Sequence, residues 1–277
     1  MRVLVTGATG FIGRHVVQEL INLGHSVLAQ TTRKDWHNKG VNTECHYVKF
    51  KLEDSLPPQV VAEIGSCSKV IHLAWAGLED FRNLSHFEDH LMVQYRFIKS
   101  LVLIGLKDIS ITGTCLEYGM RNGPISIHDA TDPVVAYALA KDSLRRFLII
   151  LKQQYPFDLK WIRLFYMYGE GQSEKSLLSQ LKKALDQGKK IFDMSAGDQL
   201  RDYLPVEIVS QKIVRISLDD TNGDFNCSSN KPTSVINVVK EYLKREHRSI
   251  EIRTNVFPYN EYEPMAFWGS NNDEQKY

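Results

Sequence analysis

Tyr137 and Lys141, four positions apart in the run YALAK, are the residues in this sequence whose types and spacing best suit chemistry. Apolar residues follow them at helical spacing, and residues four apart on a helix share one face. A nearby ammonium favours the ionised form of a phenol, so we expect the pKa of Tyr137 to lie below its ordinary value of about 10. Such a phenol is suited to general acid–base catalysis. The alternative is an ordinary helical pair with no catalytic role.

A glycine-rich segment near the N-terminus, GATGFIG at positions 7–13, is a candidate phosphate-binding loop. It follows the β-branched run at 2–6 and opens a segment with helical spacing. Glycine permits a tight turn and the close approach of a pyrophosphate. The helix N-terminus then offers free N–H groups and the positive end of its dipole. The context predicts a dinucleotide site, and a glycine-rich turn without a ligand is the alternative.

Strands and helices alternate across residues 1–165 and must position these groups. The predicted strands are 2–6, 25–31, 45–50, 69–74, 109–113 and 159–165. The helical segments begin near Phe11 and at 58–64 and 137–154, with a further long segment over 86–104. This alternation predicts an α/β fold, a Rossmann-type doubly wound parallel sheet with helices on both faces.

The C-terminal third is less regular, with helices predicted at 176–187 and 234–245 and a buried strand at 225–227. We expect a dinucleotide-binding domain over 1–170 and a smaller C-terminal α+β substrate domain over 171–277. Some segments of the second domain are expected to return to the first. A ligand cleft is predicted between the two, at the carboxyl ends of the strands.

Composition and charge exclude several classes of protein. The 34 Lys and Arg residues nearly balance the 33 Asp and Glu residues, so we expect neither a nucleic-acid nor a membrane partner. The apolar stretches are shorter than a membrane span, and the N-terminal run resembles a strand more than a signal peptide. Four cysteines without a CxxC pair or zinc-type spacing predict reduced thiols, no metal site and a cytoplasmic location.

Five further motifs follow the GxxGxxG loop in order along the chain. They are His72-Leu73-Ala74; Thr112-Gly113-Thr114 before Tyr118-Gly119; YALAK; Arg163-Leu164-Phe165 before Tyr168-Gly169; and Arg201-Asp202-Tyr203. Together with the loop they resemble the extended branch of the short-chain dehydrogenase/reductase superfamily, also called the NAD-dependent epimerase/dehydratase family. The resemblance covers nearly the whole chain, and it implies the fold given above and a nucleotide-sugar substrate.

The resemblance also implies catalytic and cofactor-binding roles. Thr114, Tyr137 and Lys141 are the implied catalytic set. In it Thr114 polarises a carbonyl oxygen, Tyr137 transfers a proton, and Lys141 poises Tyr137 and anchors the nicotinamide ribose. The implied cofactor contacts are Gly7, Thr9, Gly10, Phe11, Ile12, Gly13, Thr32, Arg33, Leu52, Leu73, Ala74, Tyr137 and Lys141.

Thr114, Tyr166 and Arg201 are the implied substrate contacts. Arg201 matches the arginine that relatives aim at the substrate diphosphate, a task that a planar guanidinium suits. Its alternative is a salt bridge with Asp202 or Glu207. Tyr166 departs from the family pattern, which often has Asn at this position.

The choice of dinucleotide depends on the end of the second strand, where an NAD enzyme normally places Asp or Glu. This chain has QTTRK at positions 30–34. Without a carboxylate to repel a 2′-phosphate, Arg33 can pair with that group, with Lys34 or Arg14 as further candidates. We therefore predict NADPH, with NADH as the other option. The alternative is that Arg33 and Lys34 belong to a solvated loop.

The residues after Thr114 indicate the reaction. Hexose dehydratases carry Asp-Glu there, whereas this chain has Cys115 and Leu116, so we exclude dehydration. The predicted function is NADPH-dependent reduction of the 4-keto group of a nucleotide-linked 6-deoxyhexose, with Tyr137 as proton donor. Alternatives are a 4-epimerase with tightly bound NAD, reduction of an unrelated carbonyl, and a non-catalytic dinucleotide-sensing regulator. We expect Cys115 to be a small buried thiol.

A homodimer is one option for the assembly. Many relatives pair the helix that bears the catalytic tyrosine across a dimer interface. An apolar stripe on that helix could serve such an interface, or it could face the sheet. The residues of the stripe are Leu144, Phe147, Leu148 and Leu151.

Overall fold

The computed structural model describes residues 1–33, 44–52 and 56–270. In chain order the strands are β1 (Arg2–Thr6), β2 (Ser26–Thr31), β3 (His46–Lys49), β4 (Lys69–His72), β5 (Asp108–Thr114), β6 (Gly123–Ile125), β7 (Asp158–Leu164), β8 (Tyr166–Tyr168), β9 (Ile191–Asp193), β10 (Leu200–Arg201), β11 (Tyr203–Pro205), β12 (Gly223–Cys227), β13 (Thr233–Ser234), β14 (Glu251–Arg253) and β15 (Ala266–Gly269).

Seven of these strands form one parallel sheet in the order β3-β2-β1-β4-β5-β7-β12. The chain leaves β1 in one direction to β2 and β3, and it then crosses back to β4. The carboxyl ends of β1 and β4 therefore flank the point where the strand order reverses, which is where open α/β sheets bind ligands. The structure confirms the predicted α/β class and the doubly wound parallel sheet.

Helices cover both faces of the sheet. They are α1 (Phe11–Asn22), α2 (Pro58–Gly65), α3 (Leu91–Ile104), α4 (Ala136–Gln154), α5 (Leu177–Asp186), α6 (Val206–Leu218) and α7 (Val235–Arg245). A π-helical turn, His86–His90, precedes α3, and a 3₁₀ turn, Cys115–Tyr118, follows β5. The alternating side chains of β1 are apolar on both faces of the sheet. Val3 and Val5 are buried in the apolar core on one face and Leu4 in the core on the other, so helices must cover both.

Among the described α-helices, α6 is the one that the sequence did not predict, and the short strands β6, β8–β11 and β13–β15 were not predicted either. Val206, Val209 and Ile213 are among the β-branched residues of α6, which locally disfavour a helix. The same residues are buried, and α6 packs against α1 and the central sheet. Tertiary packing therefore decides the conformation of this segment.

The C-terminal third builds small sheets around the end of the central one. Strands β13, β10, β15 and β6 form one sheet, while β8 pairs with β11 and β9 pairs with β14. Strand β12 joins the central sheet beside β7. Helices α5 and α7 pack together through an apolar cluster that includes Leu181 and Val239.

The apolar stripe on α4 divides between two environments. Leu144, Leu148 and Leu151 are buried in the core beneath the sheet. Phe147 is 40% exposed and meets Tyr95 of α3 edge to face. Three of the four residues therefore face the sheet.

Candidate active site

A groove of about 420 Å³ runs along the carboxyl ends of β1, β2 and β4. Its wall contains all the predicted cofactor residues except Tyr137 and Lys141, which lie on α4. These wall residues are Gly7, Thr9, Gly10, Phe11, Ile12, Gly13, Thr32, Arg33, Leu52, Leu73 and Ala74. Other residues of the wall, Trp75 and Gln94 among them, carried no prediction from the sequence.

The turn from β1 into α1 fits a pyrophosphate. A Cβ on Gly7 would lie 3.0 Å from the Cα of Ala74, so this glycine lets the loop after β4 approach the turn closely. Helix α1 has no acidic residue in its first turn, and no described side chain caps its N-terminus. The N–H groups at that end are therefore left for an anion in the groove. These features fit a dinucleotide.

A buried hydrogen-bond network holds the floor of the groove. The His72 ring bonds Thr6 Oγ1 through Nδ1 at 2.8 Å and Gln94 Oε1 through Nε2 at 2.7 Å. Thr6 Oγ1 also accepts from the N–H groups of Leu73 and Ala74. Gln94 Nε2 donates to the Ala74 carbonyl, which turns its Oε1 toward the ring. A neutral ring protonated at Nε2 satisfies every partner.

This network predicts a loss of stability in acid. Burial lowers the pKa of His72 to about 3 from its ordinary 6.5. Between those values the unfolded chain binds more protons at His72 than the folded chain does. The free energy of unfolding should therefore fall as pH drops, by about 1.4 kcal/mol per pH unit. Urea unfolding of wild type and His72→Gln at pH 6 and 5 measures this, and equal pH slopes for the two proteins would contradict it.

The end of β2 presents a cation and hydroxyls to the groove. Thr31 Oγ1 lies 2.8 Å from Thr9 Oγ1 and accepts from the Arg33 N–H. Arg33 is exposed on the groove wall. No Asp or Glu contributes to the wall among the described residues. Arg14 points elsewhere, because its guanidinium donates to the carbonyl of Glu170. Lys34 lies outside the described residues.

Thr114 lies at the carboxyl end of β5, where it begins the 3₁₀ turn. Its Oγ1 accepts from the N–H of Leu116 at 3.3 Å, and its own N–H donates to Glu117 Oε1 at 2.8 Å. Since its oxygen already accepts a bond, the hydroxyl proton is available to donate to a ligand. Cys115 is buried, as expected, and burial raises the pKa of its thiol.

Tyr137 and Lys141 share a face of α4, which packs against β5 and the 3₁₀ turn. Lys141 is buried, and its Nζ donates to the carbonyl of Thr112 at 2.8 Å. That Nζ also lies 4.1 Å from the ring centroid of Trp75 and 6.0 Å from that of Tyr137. Trp75 therefore contacts both the dinucleotide groove and the lysine.

The predicted direction of the Tyr137 pKa is wrong for this structure. Burial raises the pKa of Tyr137, and the negative charge of Glu117 adds to the rise. Burial also lowers the pKa of Lys141 to about 7, which the Glu117 charge partly opposes. A lysine that is only half protonated near neutral pH and bonded to a carbonyl supplies less positive charge to the phenol than the four-residue spacing suggests.

Aromatic side chains enclose Tyr137. The Phe81 ring stacks on it with centroids 5.0 Å apart, and the Phe81 carbonyl accepts from the Tyr137 N–H at 2.9 Å. Trp75 meets it edge to face, and Trp75 Nε1 donates to His86 Nδ1 at 3.0 Å. The sequence analysis missed this enclosure. Its one sequence signal is an aromatic residue directly after the His72-Leu73-Ala74 motif.

Two of the implied substrate residues, Arg201 and Tyr166, lie side by side. Arg201 is 1% exposed, and its guanidinium donates to the Leu200 carbonyl and to Glu263 Oε2 at 3.2 Å. Its Cζ lies 5.1 Å from the centroid of the Tyr166 ring, whose buried hydroxyl has no hydrogen-bond partner among the described residues. Arg201 therefore forms its salt bridge with Glu263, and not with Asp202 or Glu207 as the alternative from the sequence had it.

Across residues 1–33, 44–52 and 56–270, no three His, Cys, Asp or Glu side chains group in a way that could hold a metal ion. In the same part of the chain, no helix is long and apolar enough to cross a membrane.

Comparison with known proteins assigns the family. A model of the NAD dependent epimerase/dehydratase family matches residues 3–228. A dTDP-6-deoxy-L-talose 4-dehydrogenase (NAD(+)) from Aggregatibacter actinomycetemcomitans is 32% identical over 273 residues, covering 98% of this chain and 100% of the relative. The chain therefore belongs to this family, which confirms the resemblance to extended short-chain dehydrogenases/reductases.

A further relative and a solved structure also resemble this chain. A probable UDP-glucuronate 4-epimerase from Rhizobium meliloti is 26% identical over 251 residues, covering 85% of this chain and 74% of the relative. The solved UDP-glucuronic acid 4-epimerase from Bacillus cereus, in complex with UDP-glucuronic acid and NAD, is 20% identical with a TM-score of 0.81. That match covers 98% of this chain and 91% of the epimerase, and it supports the fold.

Proposed function

We propose that this chain is a nucleotide-sugar 4-ketoreductase, which interconverts the 4-keto and 4-hydroxyl forms of a nucleotide-linked 6-deoxyhexose. One observation carries the proposal: Tyr137 meets Trp75 of the groove wall and packs on the cluster that contains the buried Cys115 and Leu116, the two residues after Thr114. Leu116 cannot transfer a proton, so this pair of residues cannot supply both the acid and the base of a water elimination. The 32% identical relative, named as a 6-deoxyhexose 4-dehydrogenase, supports the same substrate class.

The residues of the site have distinct tasks in this reaction. Thr114 donates a hydrogen bond to the carbonyl oxygen at C4 of the sugar and stabilises the negative charge that develops there. Tyr137 gives its proton to that oxygen as the alcohol forms. Lys141 and the groove around 7–13 hold the dinucleotide, and the reduced nicotinamide supplies the hydride when it is bound. In the oxidative direction, Tyr137 accepts the proton.

The test of the function uses the purified chain with a dTDP-4-keto-6-deoxyhexose and reduced dinucleotide. We expect one equivalent of dinucleotide to be oxidised for each equivalent of sugar reduced, and the reverse reaction with a dTDP-6-deoxyhexose and oxidised dinucleotide. No turnover in either direction would reject the proposal. The free 4-keto-6-deoxyhexose, without its nucleotide, is the matched control substrate, since it keeps the reacting carbonyl and offers no diphosphate to Arg201.

A 4-epimerase with tightly bound NAD is the second candidate. The probable UDP-glucuronate 4-epimerase among the relatives favours it. An epimerase returns the hydride to its own substrate, so it needs no added dinucleotide and consumes none. Dinucleotide released from the purified protein on denaturation, and product stereochemistry without added cofactor, distinguish the two candidates. Formation of epimerised product without net oxidation of cofactor would contradict the reductase assignment and support the epimerase.

We further propose NADPH as the preferred dinucleotide, because Arg33 lines the groove and no described wall residue carries a carboxylate. The name of the 32% identical relative specifies NAD(+), which makes a direct comparison of the two cofactors decisive. An arginine–phosphate pair contributes about 1.5–3 kcal/mol. Replacing Arg33 with alanine should therefore raise the KM for NADPH by about 10- to 100-fold and leave the KM for NADH unchanged.

The control for this substitution is Arg253→Ala. Arg253 is also exposed, but it pairs with Asp193 on β9, away from the groove. Its replacement should alter neither KM. A higher kcat/KM for NADH in the wild type, or equal losses for both cofactors in Arg33→Ala, would contradict the NADPH assignment.

A further inference from the structure

A buried carboxylate lies directly behind Thr114 and has no role in the reaction described above. Glu117 is fully buried at the end of the 3₁₀ turn. Its Oε1 accepts from the Thr114 N–H at 2.8 Å, and both of its oxygens lie within 3.1 Å of Trp161 Nε1. Its Oε2 accepts from Arg163 Nε at 2.6 Å.

These contacts fix the charge state and the orientation of Glu117. Burial raises the pKa of this carboxyl, and Arg163 opposes that rise. All three neighbouring polar groups on Thr114, Trp161 and Arg163 are N–H donors, so a protonated carboxylic acid would leave its own O–H without an acceptor. The ionised carboxylate is the form that satisfies every partner.

Arg163 links Glu117 to the rest of the sheet. Its NH1 lies 3.1 Å from the Tyr118 hydroxyl and 3.1 Å from Asp224 Oδ2 on β12. The arginine is fully buried on β7, beside the strand that carries Thr114. Arg163 on β7, itself paired with Asp224 on β12, therefore fixes the position of the Glu117 carboxylate. A shift of this carboxylate would also move the Thr114 backbone, because the two are hydrogen-bonded.

We propose that Glu117 is a positioning residue, which holds the Thr114 backbone so that the Thr114 hydroxyl faces the substrate carbonyl oxygen. This inference rests on the proposed function, because it assigns Glu117 to the reaction through Thr114. Glu117 touches no substrate atom and transfers no proton. Its effect should therefore disappear when the Thr114 hydroxyl is removed.

A double-mutant cycle tests this dependence. Thr114→Ala removes one donor to the developing oxyanion and should lower kcat by about 100-fold. Glu117→Gln keeps the side-chain shape, but only one side of its amide can accept. The amide oxygen should stay with the Arg163 guanidinium, because a hydrogen bond from a charged donor is the stronger one, so the NH2 faces and releases the Thr114 N–H. We expect kcat to fall by at least tenfold, with the double variant no slower than Thr114→Ala alone. Multiplicative losses in the double variant would overturn the proposal.

A readout independent of turnover separates this proposal from the proposed function. Hydrogen exchange at the Thr114 amide should be faster in Glu117→Gln than in the wild type, because that N–H loses its acceptor. The control is Asp224→Asn, which removes the other carboxylate from Arg163 but contacts neither Thr114 nor Tyr137 in the described structure. It should leave this exchange rate unchanged.

Each outcome has one meaning. If the wild type turns over no nucleotide sugar, the proposed function fails, and the exchange rate of the Thr114 amide still decides whether Glu117 holds it. Unchanged protection in Glu117→Gln overturns the positioning role even if activity falls. If Glu117→Gln does not fold, Glu117→Asp enters the same cycle, since it retains the charge and shortens the reach to the Thr114 N–H.

Discussion

Replacing Tyr137 with phenylalanine is expected to lower kcat by about 10²- to 10⁴-fold and to leave dinucleotide affinity unchanged. The substitution removes only the phenolic hydroxyl, which makes no hydrogen bond to another described residue. The ring contact with Phe81, at 5.0 Å between centroids, is available to phenylalanine as well. The fold and the groove should therefore be retained while the proton donor is lost. Steady-state kinetics and dinucleotide titration measure the two effects separately.

Tyr155→Phe is the matched control for this prediction. Tyr155 lies at the other end of α4 and is 38% exposed, so its hydroxyl is remote from the groove. Its replacement should change neither kcat nor affinity. A Tyr137→Phe protein that retains more than about a tenth of the wild-type kcat would remove Tyr137 from the role of proton donor.

Local sequence patterns predicted the parts of this protein that depend on neighbouring residues. The strand at 2–6 and the glycine turn at 7–13 are contiguous, so residue type alone defines their conformation and their junction with α1. The six motifs of the resemblance lie at the ends of strands or at the start of α4. Because parallel strands end at one edge of the sheet, their order also predicted which residues meet there.

Long-range packing decides the parts that the sequence analysis missed. Arg201 pairs with Glu263, a residue 62 positions later, and no local pattern connects them. Phe81 lies in the irregular segment between β4 and the π-helical turn, and its ring stacks on Tyr137 of α4. Glu117 has no helical or strand periodicity to mark it, and its role depends on Arg163 from another strand.

The pKa of Tyr137 illustrates the same limit in electrostatic terms. A spacing of four residues places Lys141 on the correct face, but the effect of its charge depends on burial and on the distance to the ring. Both are tertiary properties: the Thr112 carbonyl holds Lys141 Nζ, and desolvation lowers the pKa of the lysine to about 7. The pattern therefore predicted the identity of the pair and misjudged the direction of the phenol's shift.

Replacing Gly13 with alanine is expected to abolish dinucleotide binding. A Cβ at this position would lie 2.1 Å from the Gly7 carbonyl oxygen and 2.9 Å from the Ala8 carbonyl carbon. Both neighbours are backbone atoms, so no side-chain rotation can relieve the overlap, and the turn must open. Opening it moves the α1 N–H groups away from the pyrophosphate. We expect affinity to fall by more than 100-fold, and stability to fall by about 1–3 kcal/mol.

Gly65→Ala separates this effect from the general effect of adding a methyl group. Gly65 ends α2, and its Cβ would meet only Ile104 Cγ2, at an ordinary 3.6 Å. Alanine is favoured over glycine in a helix by about 0.5–1 kcal/mol, so this variant should bind dinucleotide normally and be as stable as the wild type or more so. Calorimetric titration with NADPH and urea unfolding of both variants measure the contrast. Because the overlap at Gly13 lies within the turn itself, wild-type affinity in Gly13→Ala would mean that the dinucleotide binds elsewhere.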